Sequence, residues 1–185
     1  MKMMAFRLGV TLTVICAVTS LALSFTFLIT NPRIEAAAEK KKKEAILSVI
    51  KNAESYEPVQ TAEGEIYYRV LKGKELRGYA LPVQAKGYSS TIEMMAGIDL
   101  RGKLTNLSVI KHEETPGLGA RIVEIRPGEE EPWFTRQFRG KEQQQLDLKN
   151  IQAITGATIS SRAVIEGVRQ AVTEFTAEVL NEEKK

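Results

Sequence analysis

Only one cysteine and one histidine occur in the 185 residues. Cys16 sits inside an uncharged apolar run, so neither a disulfide framework nor a thiolate metal cluster is available from one chain. His112 by itself excludes a multi-histidine metal site and reads as a polar residue at a strand end rather than a general base. No metal ligand set is expected, and there is neither an internal repeat nor a low-complexity linker. A basic face is missing as well. Residues 1–43 carry seven basic and two acidic side chains, and the other 142 residues carry 19 basic against 21 acidic. The net charge of +3 therefore belongs to the N-terminal segment. The remainder lacks the clustered cationic surface that nucleic acid requires, and no nucleic-acid partner is expected.

What the N-terminus does have is an uncharged stretch of 23 residues, Leu8–Thr30. At about 1.5 Å rise per residue it reaches ~34 Å, enough for a bilayer core with modest tilt. A cleaved signal peptide competes with this reading, because Lys2 and Arg7 form a basic start and Ala36–Ala38 offer small residues for cleavage. The apolar run exceeds the roughly 7–15 residues of a signal core, which favours a retained single-pass anchor in the lipid bilayer over residues 1–32. Beyond it, Ile34–Asn52 lacks proline and glycine and is rich in Ala, Glu and Lys, which predicts a juxtamembrane helix within 33–55. The Lys40–Lys43 run reads as a solvated helix face, with anionic headgroups as the sharper alternative.

Residues 56–185 are left for one domain, long enough to bury a core. Strand-like runs fall near Ile66–Leu71, Gly78–Ala85, Thr91–Ile98 and Leu104–Lys111, separated by glycine-containing turns. Ile92, Met94, Ala96 and Ile98 alternate with polar neighbours as one buried face requires, and Met95 interrupts the polar side. Helical patterning resumes around Leu118–Ile125 and Pro132–Phe138. The expected fold class is α+β, with a mainly antiparallel sheet, packed helices and a single N-terminal membrane helix.

Two segments carry the chemistry. Thr155-Gly156-Ala157-Thr158, followed by Ile159-Ser160-Ser161, precedes a run in which Val164, Val168, Val172, Phe175 and Val179 recur at helical spacing. Ser160 or Ser161 is a plausible N-cap. Unpaired N–H groups and the positive dipole end at such a start favour an anion, and small residues let it approach. The other segment is His112-Glu113-Glu114-Thr115-Pro116-Gly117-Leu118-Gly119. Pro116 fixes one φ angle, and Gly117 and Gly119 permit values closed to other residues, so the loop can turn several N–H groups toward a planar polar ligand. Each segment alone is compatible with a plain capped helix start or a turn, and Glu113 and Glu114 with solvated loop carboxylates.

Together, in this order, the ETPGLG loop and the TGAT motif resemble the flavin-binding domain shared by the G subunit of the Rnf electron-transport complex and the C subunit of the sodium-pumping NADH:quinone reductase. The N-terminal membrane helix and the stretch Trp133-Phe134 to Gln137-Phe138-Arg139-Gly140-Lys141 support the likeness. The resemblance implies FMN attached covalently through its phosphate to Thr158, with Thr155, Gly156, Ala157, Ser160 and Ser161 around the phosphate. It places Glu114, Thr115, Gly117, Leu118 and Gly119 at the ring system. It also implies a flavin transferase for maturation, neighbouring membrane subunits as partners, and electron relay between ferredoxin and NAD coupled to movement of Na⁺ or H⁺. The nearest rival is the quinone-reductase C subunit, whose members are usually longer; a tethered assembly module without a redox role is the alternative of another class. One position departs from the family pattern: Gln152 stands where an aspartate usually precedes [ST]GAT. In similar subunits the flavin domain lies outside the cytoplasmic (inner) membrane, whereas counting Arg33 and Lys40–Lys43 against Lys2 and Arg7 points the other way. The resemblance decides for an extracytoplasmic domain here.

Overall fold

A computed structural model describes residues 2–60 and 66–180; residues 61–65 and 181–185 of the expected domain lie outside the described residues. The chain divides into two compact units between Lys41 and Lys42. Helix α1, Lys2–Ser48, contains Pro32 in its interior, so the expected membrane and juxtamembrane helices are one element. From Phe6 onward it is long and apolar enough to cross a membrane. Its large apolar side chains, among them Leu12, Phe25 and Leu28, are exposed.

The predicted helix to Asn52 stops short. Asn52 takes a φ of 62°, a left-handed conformation that asparagine tolerates and that no α-helix continues through. Carbonyls at and just past the end of α1 find partners in the sheet instead: Asn106 Nδ2 donates to Ser48 O at 3.3 Å and the Thr105 hydroxyl to Val49 O at 2.5 Å.

Five antiparallel strands follow: β1 Ser55–Gln60, β2 Ile66–Lys72, β3 Glu75–Lys86, β4 Thr91–Ile98 and β5 Leu104–Lys111. They pair strictly in sequence order, β1-β2-β3-β4-β5. The strand β1 is an addition to the expected set. It is mostly exposed and carries Pro58, which suits a sheet edge. After the sheet come a 3₁₀ turn at Gly119–Val123, the short helix α2 at Trp133–Arg136, a second 3₁₀ turn at Gln143–Gln145 and the long helix α3 at Thr158–Phe175. The α+β architecture is as the sequence pattern requires.

Both faces of the sheet are covered. On one, Leu81, Val83, Ile92, Met94, Ala96 and Ile98 meet Phe134, Phe138, Val164, Val168 and Val172 in a single core. The alternation in β4 thus does define a buried face. On the other, Met95 is fully buried with Tyr68, Val70 and Ala80 beneath Ala45 and Ile46 from the last turn of α1 and Val49 and Ile50 just beyond it. Met95 marks a second core, and α1 ends as part of this unit. The approach is so close that a Cβ on Gly97 would strike the Val49 carbonyl.

Candidate functional site

The two motifs meet at one cleft of about 670 Å³, lined by Tyr88, Glu114, Thr115, Leu118, Gly119 and residues 156–160. That volume lies within the ordinary range for a small-molecule site. Contact between the motifs is direct. A Leu118 methyl lies so near Gly156 that a Cβ there would sit 3.0 Å from it, and Gly156 has a φ of 79°, so glycine serves both the turn and the approach. A smaller hollow of about 370 Å³ between β2, β3 and α3, lined by Tyr67, Gln84 and Gln170 among others, contains neither motif.

Helix α3 begins at Thr158, with Ala157 at the N-cap position and no side chain capping the first amides. This corrects the N-cap expectation: Ser160 and Ser161 lie inside the first turn, both buried. Ser161 Oγ donates to Ala157 O and accepts from Ile154 N, both at 2.9 Å, which stitches the TGAT turn onto the helix. The Thr158 side chain is exposed at the cleft, and its hydroxyl has no hydrogen-bond partner among the described residues. Uncapped amides beside a free hydroxyl at a helix start suit a phosphate. Thr155, Gly117 and Ser161 are outside the lining, and Thr155 is exposed on the turn itself.

In the loop, Thr115 O accepts from Leu118 N at 3.2 Å and from Ala120 N at 3.1 Å, closing a tight turn. Gly117 has the left-handed φ of 74° that the sequence anticipated. Gly119 does not. Its missing Cβ makes room instead, since one built there would lie 2.6 Å from Glu114 Oε2 and 2.7 Å from Ser160 Oγ.

Glu114 is not a solvated carboxylate; it is 4% exposed. Its Oε1 accepts from Ser89 N and Ser90 N, each at 3.0 Å, and from Ser90 Oγ at 3.4 Å. Its Oε2 accepts from Tyr88 N at 3.2 Å and from Ser160 Oγ at 2.5 Å. Burial pushes the carboxyl pKa up, but the Ser160 hydroxyl and the amides of Ser90, Ser89 and Tyr88 together outweigh it and leave the pKa below its ordinary value. The group stays charged at neutral pH, and the stability it contributes is lost only as pH falls through that lowered value. Glu113, by contrast, is exposed. His112 Nδ1 accepts from Glu114 N at 3.4 Å, a structural role at the end of β5.

Sequence reasoning missed Tyr88. It sits on the Gly87–Ser90 hairpin turn, 69% exposed, at the cleft. An aromatic at the tip of a short turn is the signal that could have found it. With Leu118 and Ile159, also exposed, it supplies an apolar rim. Trp133 is buried in the core, donates Nε1–H to Glu124 Oε2 at 3.1 Å and does not line the cleft.

Residues 87–173 match the model of the FMN-binding domain, a range that contains every lining residue of the cleft. Over most of its length the chain is similar to three named relatives. The G subunit of the proton-translocating ferredoxin:NAD(+) oxidoreductase complex of Clostridium ljungdahlii is 31% identical, covering 92% of this chain and 91% of that one. The chain belongs to this family of G subunits. The G subunit of the ion-translocating oxidoreductase complex of Methanosarcina acetivorans is 32% identical over 91% of this chain and 93% of its own. The G subunit of the Na(+)-translocating ferredoxin:NAD(+) oxidoreductase complex of Acetobacterium woodii is 30% identical over 92% and 91%. Relatives at similar identity are thus named for different ions. Among solved structures, that of Shewanella oneidensis NqrC matches with a TM-score of 0.45 at 18% identity, over 71% of this chain and 73% of that one.

Proposed function

We propose that this chain is the membrane-anchored, electron-relaying G subunit of an ion-translocating ferredoxin:NAD oxidoreductase complex, with FMN joined through its phosphate to Thr158. The observation that carries the reading is the single cleft in which a free Thr158 hydroxyl and uncapped helix amides lie beside the 114–119 loop. The residues fit the group: amides of the first turn of α3 for the phosphate, and Tyr88, Leu118 and Ile159 as an apolar rim for the ring system. Bound there, FMN would supply one- and two-electron transfer, so the protein need only hold, orient and tune it. Attachment requires that the Thr158 oxygen lose its proton and displace the leaving group at phosphorus of an activated flavin nucleotide, which a flavin transferase would present. One P–O bond breaks as another forms, and the chain gains one FMN less one water. The full-length match to the three named relatives favours this complex over the quinone reductase.

Intact mass tests the proposal. Coexpressed with a flavin transferase, the purified chain should carry that added mass and remain yellow after denaturation; an unmodified mass would leave only a tethered module.

Residue 152 offers a second measurement. The backbone of Gln152 is held by the Gln137 side chain, which accepts from Gln152 N at 2.9 Å and donates to Gln152 O at 3.2 Å. The Gln152 side chain itself is exposed and makes no bond among the described residues. Gln152→Asp should change stability by no more than about 0.5 kcal/mol. With limiting transferase it should raise the initial rate of FMN attachment severalfold, by restoring the family's carboxylate. An equal or slower rate, read by time-resolved intact mass, would discard this role for position 152.

The flavin domain is placed outside the cytoplasmic membrane in this reading. A cysteine at exposed Lys74, in a Cys16→Ala background, should react with a membrane-impermeant maleimide in intact cells. Protection until the cells are lysed would reverse the orientation.

A further inference from the structure

Five donors converge on the Glu114 carboxylate: three successive amides of the Tyr88–Ser90 turn, the Ser90 hydroxyl and the Ser160 hydroxyl of α3. A carboxylate offers about four lone-pair sites, so nothing is left for a ligand. The place is shaped for this group. On one side a Cβ at Gly87 would strike its Oε1, and on the other a Cβ at Gly119 would strike both its Oε2 and Ser160 Oγ. Three chain segments far apart in sequence are held by this one side chain, and each contributes to the cleft: Tyr88 from the hairpin turn, Leu118 from the loop, Ile159 from the helix start. A further tie, Ser89 Oγ to Thr115 Oγ1 at 3.1 Å, joins turn and loop at the rim.

We propose that Glu114 is a positioning residue: it contacts no flavin atom, and by fixing the Tyr88 turn against the first turn of α3 it sets how closely the walls of the cleft enclose the ring. This rests on the FMN reading given above. A buried carboxylate with all its sites filled exchanges a large desolvation cost for rigid geometry. Glutamine of the same shape keeps one acceptor oxygen but turns an NH₂ toward the other donors, so at least one turn amide loses its acceptor without any loss of volume. The consequence for the flavin is indirect: the aromatic side of the cleft is no longer fixed relative to the Thr158 side.

The test uses Glu114→Gln and Ser160→Ala in the full chain, with two readouts. Hydrogen exchange at amides 88–90 is measured on unmodified protein. Quenching of flavin fluorescence by iodide is measured on the molecules that intact mass shows to carry FMN. Exchange should accelerate by about ten- to hundredfold in Glu114→Gln, the size of one lost buried acceptor, and by less in Ser160→Ala. Iodide quenching should rise severalfold in the same order. Faster exchange with parental quenching would make Glu114 purely structural and overturn the proposal, as would unchanged exchange. Should Glu114→Gln fail to fold, Ser160→Ala decides by the same two readings. If the parent never acquires FMN, the flavin reading falls and with it the claim about the ring; exchange in the unmodified chain then reports only whether Glu114 ties the Tyr88 turn to α3, acceleration supporting that tie and no change overturning it.

Discussion

Thr158→Ala is expected to abolish FMN attachment altogether, returning the coexpressed chain to its unmodified mass and leaving it colourless. The effect should be all or none because the bond needs an oxygen at this position. At the helix start the other hydroxyls do not substitute: Ser160 and Ser161 are buried and committed to Glu114 and to the TGAT turn. Thr155 is exposed on the preceding turn but outside the cleft. Since Thr158 is exposed and bonds to nothing among the described residues, alanine there should change stability by no more than about 0.5 kcal/mol. A folded, colourless variant is therefore the predicted product. Thr158→Ser should keep attachment, as it keeps the oxygen. An alanine variant that still gains the FMN mass would move the site to another residue, and peptide mapping would identify it.

The second large effect concerns the end of α1. A chain starting at residue 42 retains Ala45, Ile46, Val49 and Ile50, whereas one starting at 52 loses all four. At about 1.5–3 kcal/mol for each fully buried large aliphatic side chain, the three largest contribute on the order of 5–9 kcal/mol. That is comparable with the total stability of a typical domain, about 5–15 kcal/mol. Removal also exposes Met95, Val70 and Ala80 and leaves Thr105 without its acceptor at Val49. The longer chain should show a cooperative thermal transition; the shorter should aggregate or melt without one. A shorter chain that unfolds cooperatively at the same temperature would show that the second core is dispensable.

Much of this was legible from residue patterns because the strands are regular. The limits of β4 and β5 coincide with those expected, and the four alternating apolar residues of β4 do share one core. The strand β1 was hidden by Pro58 and by an exposed composition with little alternation, as befits an edge that buries almost nothing. The second core was hidden for a different reason. Its helix residues read as a continuation of a charged stalk, and only Met95 on the sheet announced a partner for them. At the cleft, the spacing of the two motifs was visible but the roles of the side chains were not. Ser160 and Glu114 are 46 residues apart, and no local pattern reports that one hydroxyl is aimed at one carboxylate. Gly119 was misread for a similar reason, because space and backbone freedom leave the same letter in a sequence.

The strictly sequential order of the strands also imposes a timetable. Neighbouring hairpins close short loops, so the five-stranded sheet can assemble while the C-terminal residues are still being made. The cleft cannot. One wall comes from residues 88–119 and the other from the start of α3, so the pocket exists only after the last long helix has docked. Any maturation enzyme that recognises the finished pocket is thereby restricted to molecules that have completed folding.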